Sequence, residues 1–284
     1  MKKKIAVLII DAQNDFCSPK GSLFVPGAEE DNERLSGWIL DNKDEIGHIS
    51  CTLDSHQLID IAHPGFWVDK DGNNPQPFSV ITAEQVRSGD FRPVMGTINK
   101  AIDYLQSLED EGEYAHVIWP EHCIIGTWGN QLDQKVNDAC LAWARNGHHL
   151  SYVSKGSHPY SEHFGAFKAQ VPQENYPSTQ FNFGLQQTLE KFDTVYLAGQ
   201  AKSHCVANTL KQVVKEVPNL AKKFVILTDT MSDVPGGPAG PGTTPTFGEL
   251  AQPIYDEAKA LGVKFSTTVA EGVNAKSGAA TATA

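Results

Sequence analysis

The hydrophobic positions of the chain fall into short runs that alternate with helical patterns. The runs lie at residues 5–10, 46–52, 116–119, 149–154, 194–198, 224–228 and 263–268. Strands that alternate with helices are typical of βαβ units, in which helices cover both faces of a mostly parallel sheet. The pattern therefore predicts a doubly wound α/β fold.

Polar residues stand at the carboxyl ends of five of these predicted strands. Asp11 follows the first strand, Asp54 the second, His122 the third, Lys155 the fourth and Cys205 the fifth. Functional residues of open α/β sheets gather at this edge. The five positions together predict one site at the carboxyl edge of the sheet.

Cys205 lies where an apolar strand gives way to a helix. Apolar residues recur after it at one-face spacing, at Val206, Leu210, Val213, Val214 and Val217. A thiol in the first turn of a helix meets the positive end of the helix dipole, so we expect its pKa to fall and its thiolate to serve as a nucleophile. The alternative is a small buried hydrophobic residue, which is the common role of a free cysteine.

A nucleophilic thiol needs a base and a source of positive charge. His204 is a poor partner because consecutive side chains diverge at the start of a helix. Asp11 could take the proton if it packs beside the thiol, although a turn-forming Asp is the alternative. Lys155, if it points inward instead of to the surface, could keep both the carboxylate and the thiolate ionised.

A candidate metal site follows the second and third predicted strands. Asp54, His56 and His63 form an Asp-x-His-x6-His segment, and His122 follows the third strand. One carboxylate and three imidazoles suit a single divalent transition metal, with Zn²⁺ as the first candidate and Fe²⁺ or Mn²⁺ as alternatives.

Composition narrows the class of partner. The chain has 34 acidic and 23 basic residues, a formal charge of −11, and no basic run beyond the lysines at 2–4. We expect no nucleic-acid partner. The apolar run after these lysines has six residues and ends at Asp11, so it predicts a strand and no signal peptide, and no other run is long enough to span a membrane. Five scattered cysteines favour a reducing cytoplasm.

We predict one domain over residues 1–275, with an inserted stretch at about 64–112 and a flexible tail at 276–284. The insertion holds a polar loop at 69–77 and a predicted helix at 96–108. It begins after His63 and returns before Trp119, so it could act as a lid that lays Phe66 and Trp67 over a small ring. A surface elaboration or a subunit contact is the alternative. A second interruption, at 234–245, is too rich in Gly and Pro for regular structure.

Five segments together resemble one protein family. They are residues 9–17 (IIDAQNDFC), 52–56 (TLDSH), 119–127 (WPEHCIIGT), 154–156 (SKG) and 199–206 (GQAKSHCV). In this order they resemble the isochorismatase-like cysteine hydrolases, and specifically the nicotinamidase/pyrazinamidase branch of that family. The resemblance covers roughly residues 5 to 230 and implies the same doubly wound α/β fold.

The resemblance also implies roles for individual residues. The catalytic triad of the family falls on Asp11, Lys155 and Cys205. The metal ligands of its nicotinamidases fall on Asp54, His56, His63 and His122. The N–H groups of Ala201 and Cys205 would form an oxyanion hole, next to a cis peptide that matches Gln200–Ala201. Phe16, Trp119 and Phe164 would supply ring walls for a flat pyridine, with ordinary core packing as the alternative.

The implied activity is hydrolysis of nicotinamide, and of pyrazinamide, to the carboxylic acid and ammonia through a thioester on Cys205. Two features depart from the family pattern, because Ser203 stands where an acidic residue is common and the chain is longer than typical relatives. A hydrolase for another small amide or ureido compound is therefore one alternative, and a catalytically idle binding protein on the same fold is another. We expect a small-molecule amide as ligand and a homo-oligomeric assembly.

Overall fold

The computed structural model describes residues 4–238, 240 and 242–272, so the predicted tail at 276–284 and the end of the predicted domain lie outside the described residues. Eight strands are described. They are β1 (Ile5–Ile10), β2 (Ile46–Asp54), β3 (Trp67–Asp69), β4 (Phe91–Pro93), β5 (Ser151–Lys155), β6 (Thr194–Gly199), β7 (Phe224–Leu227) and β8 (Lys264–Ser266).

Six of the strands form the central sheet, in the order β5-β2-β1-β6-β7-β8, and all neighbouring pairs are parallel. The strand order reverses on either side of β1, as in a doubly wound sheet. The helices are α1 (Asn14–Cys17), α2 (Ala28–Asn42), α3 (Ala83–Arg87), α4 (Ile98–Asp110), α5 (Gln134–Ala144), α6 (Phe183–Leu189), α7 (Ala207–Glu216), α8 (Pro218–Ala221) and α9 (Phe247–Leu261). None of the described helices combines the length and the apolar character needed to cross a membrane.

Strand β1 shows why the sheet is covered on both faces. All six of its residues are buried. Val7 and Ile9 belong to the core under α2 and α5, whereas Leu8 and Ile10 belong to the core under α6, α7 and α9. Because successive side chains of a strand point to opposite faces, a continuous apolar run is what a strand between two cores requires. The predicted fold class is confirmed.

The prediction of a strand at 116–119 is wrong. This segment does not join the central sheet; Val117 makes only an isolated bridge to Val80. Its apolar pattern has another cause, because Ile118 packs into the core of the insertion while Val117 and Trp119 pack into the main core. His122 therefore reaches the site from a connecting segment and not from the end of a strand.

The insertion has a small core of its own. The insertion contains the antiparallel strands β3 and β4 and the helices α3 and α4. Helix α4 confirms the helix predicted at 96–108. Trp67 is fully buried in this core with Phe66, and its Nε1 donates to the Ile61 carbonyl at 2.8 Å. The proposed role of Phe66 and Trp67 as a cover over the substrate is wrong, because these rings hold the insertion together.

Candidate active site

Asp11 is fixed at the carboxyl end of β1 by its neighbour on β2. Its φ of 41° lies in the left-handed region, which is costly for a residue with a side chain and is often found at functional sites. The Asp11 N–H donates to Thr52 Oγ1 at 3.0 Å, and the Thr52 hydroxyl donates to Asp11 Oδ1 at 2.6 Å. Both residues are buried. The carboxylate thus has one oxygen held by Thr52 and the other free to face the site.

Lys155 occupies that other side, and it does point inward. It is the last residue of β5 and pairs in register with Asp54, the last residue of β2. Its Nζ lies 2.8 Å from Asp11 Oδ2, 3.0 Å from Asp54 Oδ1, 2.9 Å from the His163 carbonyl and 3.7 Å from Cys205 Sγ. One buried ammonium therefore connects the two carboxylates and the thiol.

Cys205 sits in a π-helical turn, Lys202–Val206, that precedes α7. The expected fall of its pKa is wrong. Burial raises the pKa of the Cys205 thiol well above its usual value, and the nearby Lys155 ammonium opposes this only in part. The favourable field of a helix start is smaller than the cost of placing a thiolate in a fully buried position.

Burial also raises the pKa of the Asp11 carboxyl, again against the effect of Lys155. The thiol therefore keeps its proton in the resting site, while the raised pKa makes the Asp11 carboxylate a stronger base. Passing one proton from Cys205 to ionised Asp11 leaves the total charge of the buried group unchanged. This arrangement suits a base that takes a proton from the thiol only when a substrate is attacked.

The predicted metal ligands are brought together beside this triad. His56, His63 and His122 each offer a ring nitrogen, and these atoms lie within 4.8 Å of one another. Asp54 Oδ2 is 3.1 Å from His56 Nε2 and 3.5 Å from His122 Nε2, while Asp54 Oδ1 contacts Lys155. Asp54 is thus shared by the imidazole cluster and the catalytic group.

The donor set of the cluster fits a divalent transition metal. Burial and the neighbouring imidazoles lower the pKa of His63 to about 2, so the ring is neutral, as a ligand must be. His63 Nδ1 is buried without a partner among the described residues. Burial disfavours the protonated form of His56, but Asp54 and Asp60 outweigh this effect and raise the pKa of His56 well above its usual value. The carboxylates supply negative charge that a bound cation would neutralise.

A small cavity connects the thiol with this cluster. It is lined by Phe16, Leu23, Asp54, Trp119, His122, Phe164, Ala201, His204, Cys205 and Val234. The three aromatic residues that the sequence predicted for the substrate are all present. The room inside is about 30 Å³.

The backbone before Cys205 fits the predicted oxyanion hole. The Gln200–Ala201 peptide is cis. The Gln200 N–H donates to the Ile10 carbonyl and the Lys202 N–H donates to the Ser232 carbonyl, both at 2.8 Å. Between them, the Ala201 N–H has no backbone acceptor within the part of the chain that the structure describes. Ala201 lines the cavity and can offer this donor to a ligand.

The sequence missed three contributors to the site. Thr52 and Asp60 carried weak signals, since Thr52 lies two residues before Asp54 and Asp60 lies four after His56, whose Nδ1 it contacts at 3.2 Å. A carboxylate behind a ligating imidazole commonly fixes its orientation. His163 contributes its backbone carbonyl to Lys155, and no side-chain pattern could have indicated that.

Comparison with known proteins agrees with this geometry. The nicotinamidase of Saccharomyces cerevisiae is 28% identical over 223 residues, which are 78% of this chain and 85% of that protein. The crystal structure of the yeast nicotinamidase with the inhibitor nicotinaldehyde has a TM-score of 0.61 at 25% identity and covers 93% of this chain and 99% of that one. The zinc complex of the Pyrococcus horikoshii pyrazinamidase shares the fold, with a TM-score of 0.51 at 18% identity over 93% and 99% of the two chains. No family model matches the chain.

A six-stranded parallel sheet with a buried Asp–Lys–Cys group at its carboxyl edge gives the chain the α/β fold of the isochorismatase-like nicotinamidases. Its similarity to the yeast nicotinamidase is consistent with the nicotinamidase/pyrazinamidase branch that the sequence predicted.

Proposed function

We propose that the chain hydrolyses nicotinamide to the carboxylic acid and ammonia, and that it also accepts pyrazinamide. One observation carries the proposal: Lys155 Nζ lies among Asp11, Asp54 and the Cys205 thiol at the wall of an aromatic cavity, in a chain similar to a nicotinamidase over most of its length. Burying an ammonium between two carboxylates costs folding free energy, so this arrangement argues against a catalytically idle protein.

The reaction begins with transfer of the Cys205 proton to Asp11, and the thiolate then attacks the carboxamide carbon. The N–H groups of Ala201 and Cys205 donate to the oxygen that gains negative charge. Asp11 returns the proton to the departing nitrogen, ammonia leaves, and a thioester remains on Cys205. Asp11 next takes a proton from water, which attacks the thioester, and the proton returns to Sγ as the acid is released. Lys155 holds its charge throughout.

Asp54, His56, His63 and His122 are the residues that would hold one divalent metal ion. Zinc is our first candidate, since a pyrazinamidase of the same fold has been crystallised with zinc, and iron or manganese suits the same ligands. When bound, such an ion supplies a Lewis acid that orients the ring nitrogen of the substrate or its associated water. The aromatic walls Phe16, Trp119 and Phe164 would hold the ring flat between them.

Several broader expectations remain part of the proposal. We infer one domain over residues 1–275 and a homo-oligomer in solution. A cytoplasmic location is supported by the five cysteines, all of which are unpaired and buried. Nicotinamide hydrolysis would place the protein in the salvage of NAD.

Ammonia release from nicotinamide, pyrazinamide and a ureido compound tests the proposal directly. Nicotinamide should be hydrolysed fastest or on a par with pyrazinamide. Cys205→Ala should abolish release, because no other nucleophile is proposed. Cys140→Ala is the matched control, since Cys140 is an equally buried thiol in α5, remote from the cavity lining. Activity that survives Cys205→Ala, or release from the ureido compound alone, would refute the proposal.

A further inference from the structure

His204, the residue before the nucleophile, is enclosed by aromatic rings. Its ring centroid lies 5.4 Å from Tyr114, 5.1 Å from Trp119, 5.4 Å from Phe164 and 4.7 Å from Phe247. Only 4% of the residue is exposed, and it lines the catalytic cavity together with Cys205. Burial lowers the pKa of His204 to about 3, so the imidazole is neutral at physiological pH. A neutral imidazole has one donor and one acceptor nitrogen.

Ser203 decides which nitrogen carries the proton. The Val234 N–H donates to Ser203 Oγ at 3.0 Å, and the same oxygen lies 3.0 Å from His204 Nδ1. Ser203 is fully buried, and its hydroxyl has no other acceptor among the described residues. If Nδ1 carried the proton, the Ser203 hydroxyl would be buried without an acceptor, which is costly. Hence Ser203 donates to Nδ1, and the ring proton is on Nε2.

The Nε2–H donor of His204 has no partner within the described part of the chain. The rings of Phe16, Trp119 and Phe164 offer no acceptor, and the carboxylate in the cavity lining, Asp54, contacts Lys155 and His56. The donor is therefore available to a ligand in the cavity that Cys205 also lines.

We propose that His204 Nε2–H is a specificity-determining donor, which recognises an acceptor on the substrate ring at the position adjacent to the carboxamide. The inference rests on the proposed function and deepens it. His204 and Cys205 line the same small cavity, so a substrate whose carboxamide carbon reaches Cys205 brings the ring atoms beside that carbon towards His204. In pyrazinamide one of these atoms is a nitrogen acceptor, whereas in nicotinamide both are C–H groups. The donor favours pyrazinamide, and Ser203 is the positioning residue that keeps the proton on Nε2.

The test is the ratio of kcat/KM for pyrazinamide to kcat/KM for nicotinamide. His204→Phe keeps an aromatic ring and removes the donor, so the ratio should fall roughly threefold to tenfold, the net value of one hydrogen bond. His204→Gln retains an N–H donor and should keep more of the ratio. Ser203→Ala frees the ring to exchange tautomers and should lower the ratio by less, while Ser203→Thr, which restores a hydroxyl, should recover it. Phe247→Leu alters the same aromatic cluster without touching a donor and should leave the ratio unchanged.

The outcomes separate the two proposals. An unmodified chain that hydrolyses both amides, with an unchanged ratio in His204→Phe, would overturn the role of His204 and leave the proposed function intact. If His204→Phe does not fold, an unchanged ratio in Ser203→Ala would overturn it equally. An unmodified chain that releases ammonia from neither amide would refute the proposed function and this assignment with it.

Discussion

Replacement of Lys155 by Met should reduce both catalysis and stability, and the loss of stability should depend on pH. Methionine keeps most of the buried volume of the side chain and removes its charge. The variant would leave Asp11 and Asp54 without the ammonium that now lies 2.8 and 3.0 Å from their oxygens. Asp54 retains His56 at 3.1 Å, whereas Asp11 retains only the Thr52 hydroxyl. The ionised form of Asp11 is therefore destabilised more than that of Asp54.

A buried charge that loses its partner costs about 3–5 kcal/mol of folding free energy. The protein can reduce this cost by protonating Asp11, whose pKa is already raised by burial. A carboxyl whose pKa in the folded state lies above its unfolded value loses stability as pH rises, because ionisation is easier in the unfolded chain. The deficit of the variant should thus be small at low pH and grow as pH rises. A protonated Asp11 is no base, so kcat/KM should fall at least about a hundredfold at neutral pH.

Urea unfolding between pH 5 and 8, together with ammonia release, measures both effects. Lys168→Met is the matched control, since Lys168 pairs with Glu216 at 2.7 Å where the two side chains are 28% and 36% exposed. Such a pair contributes at most about 1 kcal/mol, and activity should not change. The reasoning fails if Lys155→Met costs no more stability than Lys168→Met, or if its deficit does not increase with pH.

Three further predictions follow from the site and the insertion. His63→Ala should lower the metal content, measured by elemental analysis, from about one ion per chain. The same change at the exposed His149 should leave the metal content unchanged. Full metal content in both variants would show that His63 is not a ligand. Burial raises the pKa of Glu162 to about 7, so this carboxyl alone should remove about 3 kcal/mol of stability as pH rises from 4.5 to 7. In chemical unfolding of chelator-treated protein, Glu162→Gln should therefore gain about that much stability relative to the unmodified chain over this pH range; a difference that does not change with pH would place the proton elsewhere. Trp67→Ala should lower the free energy of unfolding by about 3–5 kcal/mol in the same assay, because Trp67 is fully buried. It should also weaken metal retention, since the Trp67 donor to the Ile61 carbonyl is lost, while the KM of metal-saturated enzyme stays unchanged. A raised KM at normal stability would instead support the role of Trp67 as a lid over the substrate.

The error at 116–119 and the success at β1 have the same physical origin. A continuous apolar run shows that a segment is buried, and it does not show what buries it. Residues 5–10 are buried between two layers of helices and residues 116–119 between the main core and the insertion, yet both patterns resemble a buried strand. Hydrogen-bond partners distinguish the two, and those partners are far away in the sequence.

The sequence by itself determined the α/β alternation and the chemical types at the carboxyl edge, because strand periodicity and residue chemistry are local properties. It also indicated Asp11, Lys155 and Cys205 through their positions after apolar runs. Only the tertiary structure decided the distances around Lys155 Nζ, the raised pKa of Cys205 and the tautomer of His204. These depend on burial and on contacts between residues such as Ser203 and Val234, 31 positions apart, which no local pattern encodes.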